Sequence, residues 1–370
     1  MKVLLFIDTL GSGGAQRQLI NLGIGLKAKG HDVSLLTYNK PFHFKELLDE
    51  NKIKHFHTQK KGKIGFNLFK AINTLLVKEE FDVVYTFLQM PAFYILLTKK
   101  FYQFKAKVLV SERSFEGSIT KSQKIFRRLY KYADVITANS VHQSDVLKNL
   151  LPKIKERIHY IANGLNLDQL QFKASIALEG ERLKILSVGR ITRVKNVKFL
   201  IELLNELVNN RKIDAEVAWV GRAPEAVLVN DVSYIEECKT LIESYQLTDR
   251  WEFKGQMKAV QEAYWASHIL VHPSKGEGFP NVVCEGLALG TTVFASKVCD
   301  HPRIITEGDN GYLFDLNNVK ELADKITLHI RKEEAEKRSM LASARNFAEA
   351  QFSFDKMINT YEGLLLDRLK

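Results

Sequence analysis

Short β-branched runs alternate with amphipathic helical stretches along nearly the whole chain, and that alternation constrains the fold more than any other feature. Strands patterned this way are buried on both faces, as in parallel sheets with helices on each side. Before residue 165 the pattern predicts strands at Val3–Asp8, Val33–Tyr38, Val83–Phe87, Val108–Glu112, Val135–Asn139 and Ile158–Ile161. Helices fill the gaps, beginning with Ala15–Lys29, which Gly30 stops. Asn163-Gly164 breaks the period, and residues 166–182 show none, so they read as a linker. The alternation restarts at Ile185–Val188 and continues through Val217–Val220, Trp251–Phe253, Ile269–His272, Val293–Ala295 and Gly311–Phe314. A restart means a second sheet. The 370 residues suit two domains, each of roughly 100 to 200 residues. They fall at 1–165 and 183–353, and two α/β lobes imply a ligand cleft between them.

Several classes drop out. With 45% hydrophobic and 26% charged residues the chain is neither disordered nor fibrous. Its first apolar run is cut short by Asp8 and lacks a small-residue cleavage site, so it reads as a buried strand rather than a signal peptide. The longest spanning candidate, Ala92–Leu97, is far short of the roughly 18 apolar residues a membrane helix needs. Cys238, Cys284 and Cys299 have no ligand spacing, which argues against structural zinc and suits a reducing cytosol. Charge is lopsided: residues 1–165 hold 22 Lys and 5 Arg against 13 acidic residues, or +14, and the remainder carries −3. A basic face suggests an anionic partner, whether phosphate-bearing substrate, membrane or nucleic acid; a merely solvated Lys-rich surface is the competing reading. Within 118–133, Lys121, Lys124, Arg128 and Lys131 share one side of a helix at 100° per residue, and Ile125, Phe126, Leu129 and Tyr130 gather on another.

Three places can do chemistry. Gly13 and Gly14 lie in a glycine-rich turn between strand and helix, where backbone N–H groups receive anions. Gln16 and the neutral Thr37-Tyr38 depart from the dinucleotide fingerprint, so nicotinamide binding is disfavoured, and a tight turn without ligand is the alternative. Next, Gly189-Arg190 ends a strand and Lys195 follows where the loop enters a helix expected over Asn196–Asn209, so two cations are placed to grip a diphosphate unless both are simply solvated. Last, Glu277-Gly278-Phe279-Pro280-Asn281-Val282 runs from the strand at Ile269–His272 into a helix at Val282–Leu289 that carries Glu285. Pro280 suits the start of a helix, and the two carboxylates can reach different hydroxyls of one extended ligand. Glu285 as a partner of the helix dipole and Glu277 as a solvated loop residue is the bland reading.

In their order, Gly189-Arg190, Lys195 and the Glu277-x(7)-Glu285 loop resemble the retaining, nucleotide-sugar-dependent glycosyltransferases of GT-B fold, known as glycosyltransferase family 4 or group 1. Gly13-Gly14-Ala15, Ala133-Asp134, Asn139-Ser140, Asn163-Gly164, His301-Pro302-Arg303 and Gly308 to Gly311 extend the resemblance over nearly the whole chain.

The resemblance implies two Rossmann-like domains facing each other across a cleft, the first binding acceptor and the second the nucleotide sugar. It also implies a last helix, about 354–370, that packs back on the first domain. Arg190 and Lys195 are then expected to neutralise the donor diphosphate, Glu277 to contact the transferred sugar and Glu285 to hold the ribose. The backbone of Phe279, Pro280, Asn281 and Val282 is expected over the phosphates, with Gly13 and Gly14 closing from the other lobe. Gly278 and Gly189 complete the donor set.

A UDP-hexose or UDP-N-acetylhexosamine donor is implied, with a glycan or lipid-linked acceptor, in bacterial surface polysaccharide or glycoconjugate synthesis. The chain lacks an Asp-x-Asp. No metal and no cofactor are therefore expected, because cations and a helix N-terminus can take the metal's place. The expected location is cytoplasmic, with peripheral contact on an anionic membrane and no nucleic-acid partner. Many family members carry a histidine where this chain has Ser111-Glu112-Arg113-Ser114, so Glu112 and Arg113 are acceptor-binding candidates, with an ion pair between them as the alternative. Two other functions are weighed: a nonhydrolysing nucleotide-sugar epimerase of the same fold, whose acid and base groups are not found, and a basic nucleic-acid-binding protein, for which no recognition helix or aromatic platform is seen.

Overall fold

The computed structural model describes residues 1–369 except 12, 103, 114–119, 177–180 and 223–228. Among the described residues the strands form two wholly parallel sheets. The first contains β1 (Lys2–Phe6), β2 (Asp32–Thr37), β3 (Lys54–His57), β4 (Val83–Phe87), β5 (Lys107–Glu112), β6 (Val135–Ala138) and β7 (Ile158–Tyr160), in the order 3-2-1-4-5-6-7. In the second, β8 (Leu183–Val188), β9 (Ala215–Val220), β10 (Trp251–Gly255), β11 (Ile269–His272), β12 (Thr292–Ser296) and β13 (Tyr312–Phe314) are ordered 10-9-8-11-12-13. Both orders are those of doubly wound Rossmann-like sheets.

The chain divides into two compact units, one of residues 1–164 with 354–370, the other of 165–353. In the first unit, Leu19, Leu22 and Leu26 on the helix Gly14–Ala28 cover one face of the sheet. Leu68, Ile72, Ile95 and Leu147 cover the other. Met357, Ile358 and Tyr361 of the last helix, Phe354–Leu369, join the first of these faces. The stretch expected as a linker is fastened to the second unit, because the N–H groups of Lys173 and Ser175 donate to the carbonyls of Leu289 and Gly290.

Two elements differ from expectation. β3 was not expected because its residues, Lys54-His55-Phe56-His57, are polar and only partly covered at the sheet's edge, so no apolar run marks it. The basic stretch is not one α-helix. An α-helix spans only Lys121–Arg127, started by a reciprocal Thr120–Gln123 cap, and tighter 3-10 turns follow over Arg128–Tyr132; Ser118 is outside the described residues. Arg127 is drawn wholly inside by Glu112, so the expected 100° wheel ends there. Lys121, Lys124, Arg128 and Lys131 are exposed, Phe126 packs tilted against Phe93 at 4.8 Å and Tyr130 is buried, whereas Ile125 stays 63% exposed.

Candidate active site

β8 lies beside β11 where the winding of the second sheet reverses, and ligands of such sheets sit beyond the carboxyl ends of the strands at that point. The loops leaving these two strands carry the candidate residues. Gly189 follows β8 at φ +156, pressed against the turn that follows β9. A Cβ on Gly221 would stand 2.0 Å from the Gly189 carbonyl oxygen, which also accepts from the Trp219 indole at 2.8 Å. Across Gly189 lies the stem of Lys195, 3.4 Å from where a Cβ would be. A turn closed by the Lys195 N–H on the Thr192 carbonyl, 3.0 Å, presents this lysine just before the helix Val197–Asn205.

Buried His272 ends β11, and five residues on, Glu277 turns back to meet it. One oxygen of Glu277, Oε1, accepts from Lys195 Nζ at 2.5 Å and from His272 Nε2 at 2.8 Å. Burial by itself would raise the Glu277 pKa, but the His272 hydrogen bond and the Lys195 charge outweigh it and hold the carboxyl well below its ordinary range. For His272, burial prevails and lowers the pKa, so a neutral ring donates through Nε2 to an ionised carboxylate. Behind it, edge-on at 5.6 Å, His301 donates from Nδ1 to the Ser296 carbonyl at 2.7 Å; burial and His272 push its pKa down to about 4.

Serine hydroxyls staple the loop: Ser296 to the Ser274 carbonyl at 2.6 Å and Ser274 to the Gly276 carbonyl at 3.0 Å. Phe279 anchors it from below, buried against Phe352 at 5.6 Å, and Pro280 caps the helix Asn281–Leu289. Glu285 Oε2 lies 3.1 Å from the Tyr264 hydroxyl. That helix rides directly on the sheet because Gly286 has no side chain; a Cβ there would stand 2.8 Å from Val293 and 2.9 Å from Leu270.

Side-chain contact thus joins Gly189, Lys195 and Glu277, while Gly278, Phe279, Pro280, Asn281, Val282 and Glu285 follow in the same loop and helix. Arg190 is exposed, and its guanidinium bonds to no described residue. Among the described residues no group of three or more His, Cys, Asp or Glu side chains could hold a metal ion.

In the first unit, Gly13 caps the helix Gly14–Ala28, and the amide of Gln16 reaches Asp8 Oδ1 at 3.3 Å. Glu112 and Arg113 do not pair with each other. Glu112, buried, takes Arg127 Nη2 at 3.3 Å and the Tyr130 hydroxyl at 2.5 Å. Arg113 points elsewhere, donating to Ser111 Oγ at 3.1 Å, Asn163 Oδ1 at 2.8 Å and Tyr361 Oη at 3.0 Å over the Phe87 ring, 3.7 Å from its centre. Ser114, next along, is outside the described residues.

Sequence reasoning missed His272, Tyr264 and Tyr361 as partners of these residues. His272 had a signal, a histidine ending a strand five residues before the loop carboxylate; Tyr361, 248 residues from Arg113, had none.

Residues 168–346 match the family described as glycosyl transferases group 1, and residues 12–169 match glycosyltransferase family 4. The N-acetyl-alpha-D-glucosaminyl L-malate synthase of Bacillus anthracis is 21% identical, over 97% of this chain and 95% of its own. A Campylobacter jejuni alpha-1,4-N-acetyl-D-galactosaminyltransferase, named for a PP-undecaprenol-linked acceptor, is 24% identical over 90% of each. Anabaena HepE, solved in complex with UDP and glucose, superposes with a TM-score of 0.82 at 18% identity, covering 99% of this chain and 100% of that one.

Proposed function

This chain belongs to the group 1 glycosyl transferases and has their GT-B fold, and we propose that it moves a hexose or N-acetylhexosamine from UDP to a glycan or lipid-linked glycan, with retention at the anomeric carbon. The observation that carries the donor site is the convergence of Lys195 and Glu277 beyond the carboxyl ends of β8 and β11, beside the unpaired Arg190. Arg190 and Lys195 face the diphosphate and offset the charge that grows as UDP departs. Glu277, ionised and held through Oε1, offers Oε2 to a sugar hydroxyl, and Glu285 takes the ribose hydroxyls. The acceptor hydroxyl attacks on the face that UDP leaves, so no side chain forms a covalent bond to sugar. The UDP-bound neighbour and the relative named for a lipid-linked acceptor favour these substrate classes. UDP release should require acceptor, and proton NMR of the product should show the donor's anomeric configuration. An inverted product would overturn retention; release with no acceptor dependence would overturn transfer.

Work at the cytoplasmic face of a membrane fits this reading. The +14 charge of residues 1–165, with exposed Lys121, Lys124, Arg128 and Lys131 around Ile125, suits anionic headgroups at about 1 kcal/mol per well-placed cation. Changing Lys124, Arg128 and Lys131 to Glu should abolish salt-sensitive sedimentation with anionic vesicles. Equal sedimentation of wild type with neutral vesicles would refute electrostatic docking. Among the described residues no helix is long and apolar enough to cross a membrane.

A further inference from the structure

The first unit holds a cation that has no counter-charge among the described residues. Arg113 stands at the carboxyl end of β5, its guanidinium laid on Phe87 and bonded to a serine hydroxyl, an asparagine carbonyl and a tyrosine hydroxyl, all neutral groups. Among the described residues no carboxylate is paired with it; the adjacent Glu112 is turned to Arg127. Buried charges are ordinarily paired, because an enclosed ion loses hydration that neutral dipoles restore only in part. Burial does lower the Arg113 pKa from its ordinary value, with Tyr361 opposing.

The geometry is that of a fork held open. A guanidinium has five N–H donors, and the three bonds from Nε, Nη1 and Nη2 leave two. Four separate parts of the unit fix its orientation: Phe87 ends β4, Ser111 lies in β5, Asn163 follows β7 and Tyr361 comes from the last helix. Tyr361 is itself fixed, since the Tyr85 hydroxyl donates to its carbonyl at 3.0 Å and the two rings meet edge-on at 5.5 Å. The residue as a whole is only partly covered. β4 and β5 are adjacent, and β4 borders β1 where the winding of this sheet reverses, the place where such sheets take ligands. A planar cation with two donors to spare is suited to an oxyanion, and a phosphate, with charge near −2 and three oxygens, answers it better than a carboxylate.

We infer that Arg113 is the seat of a phosphate group carried by the acceptor, so that this unit selects acceptors bearing a phosphate. This rests on the reading of the chain as a transferase whose first unit takes the acceptor.

The test uses the full chain with labelled arginine side chains, its donor site filled with saturating UDP, and follows the Nε resonance of Arg113, assigned by its loss in Arg113→Lys. Methyl phosphate should shift that resonance saturably, and acetate at equal concentration should not. No shift with phosphate, or equal shifts with both, would overturn the inference. Geranyl phosphate binding more tightly than glucose 1-phosphate would assign the phosphate to a lipid-linked acceptor, and the reverse order to a soluble sugar phosphate. Failure of UDP to bind would instead count against the donor reading and leaves the phosphate titration legible. As a second arm, Arg113→Met keeps the stem on Phe87 and removes the charge. Its Tm should equal or exceed that of wild type, and KM for a phosphate-bearing acceptor should rise at least tenfold with donor KM unchanged. A lowered Tm with acceptor KM unmoved would make Arg113 a structural residue and sink the proposal.

Discussion

Each unit sets a cation beyond the carboxyl end of a parallel strand, but Lys195 has its counter-charge in Glu277, whereas Arg113 has none among the described residues. Lys195, Glu277 and neutral His272 form a neutral cluster, so the positive charge that remains beside it is that of Arg190. Among the described residues Arg113 is held by dipoles and an aromatic face. The difference teaches what each site is built for. A paired cation is stable without ligand and can be shared when a ligand arrives; one held only by neutral groups gains more when an anion answers it. Glu112 and Arg127, neighbours of Arg113 in the same unit, show that the interior here supplies a counter-charge where one is structural.

The largest effects should come from breaking the paired site. Lys195→Ala and Arg190→Ala should each slow transfer by about two to three orders of magnitude, as loss of a preorganised charge-stabilising group commonly does. Turnover at saturating donor is the measurement, and near-normal rates in either variant would remove that residue from the diphosphate site. Lys195→Ala also leaves Glu277 with His272 as its one hydrogen-bond partner at Oε1, so it should lose more than Arg190→Ala.

Next come the groups around that pair. Glu277→Ala should act chiefly on kcat and Glu285→Ala on UDP affinity, because one faces the sugar and the other the ribose in this reading. His272 sharpens the comparison. His272→Leu removes the donor that orients Glu277 and should lower kcat by about tenfold to a hundredfold, as a misplacement near 1 Å does. His272→Gln keeps an N–H donor and should recover much of that loss, with donor KM little changed in both. Equal loss in the Leu and Gln variants would mean that His272 only fills space.

The fold was legible because a hydrophobic period survives in any buried parallel strand, and every strand was found except β3, whose polar edge residues carry no such signal. Lys195 and Glu277 were legible for a related reason: glycine, proline and charge concentrate in the two loops beyond β8 and β11. Their partners were not. His272 carried only a faint signal, a histidine ending a strand, and its role shows once its ring is seen 2.8 Å from Glu277. The contrast between Glu112 and Arg113 could not be read at all, since it depends on Arg127 turning inward from a basic stretch and on Tyr361 arriving from the far end of the chain. Local pattern reveals elements and loops; pairing across 248 residues is a property of the packed state.

A smaller effect separates the units by acid stability. His301 and His329 of the second unit are buried and neutral, with pKa values pushed down to about 4, chiefly by burial. An unfolded histidine binds its proton near 6.5, so between about pH 6.5 and 4 the unfolded chain holds more protons than the folded one. Stability from these residues is therefore complete above 6.5 and falls as pH drops towards 4, by at most about 1.4 kcal/mol per pH unit for each. His55 of the first unit is also pushed down to about 4, but it is more exposed and its contribution is correspondingly discounted. Urea unfolding at pH 7, 6 and 5 should show a falling midpoint, and His329→Gln should flatten the slope. An unchanged slope in that variant would mean that the ring accepts a proton in the folded state.

The smallest expected effect is none, and it tests whether the paired site needs outside help. A departing diphosphate requires compensating charge, which a divalent cation supplies in many transferases. Here Arg190 and Lys195 flank the same strand end, and in a site of intermediate dielectric each close pair with a phosphate oxygen is worth up to about 4 kcal/mol. Lys195 is set by the turn at Thr192 and by the close approach of Gly189, and Arg190 adds the net positive charge that Glu277 does not cancel. Transfer should therefore run at an unchanged rate in excess chelator, at every donor concentration. A rate that collapses with chelator and returns with magnesium or manganese would show that the two cations do not suffice. If only Lys195→Ala or Arg190→Ala became metal-stimulated, the ion would be standing in for the missing side chain, which is the outcome that most sharply ties these two residues to the diphosphate.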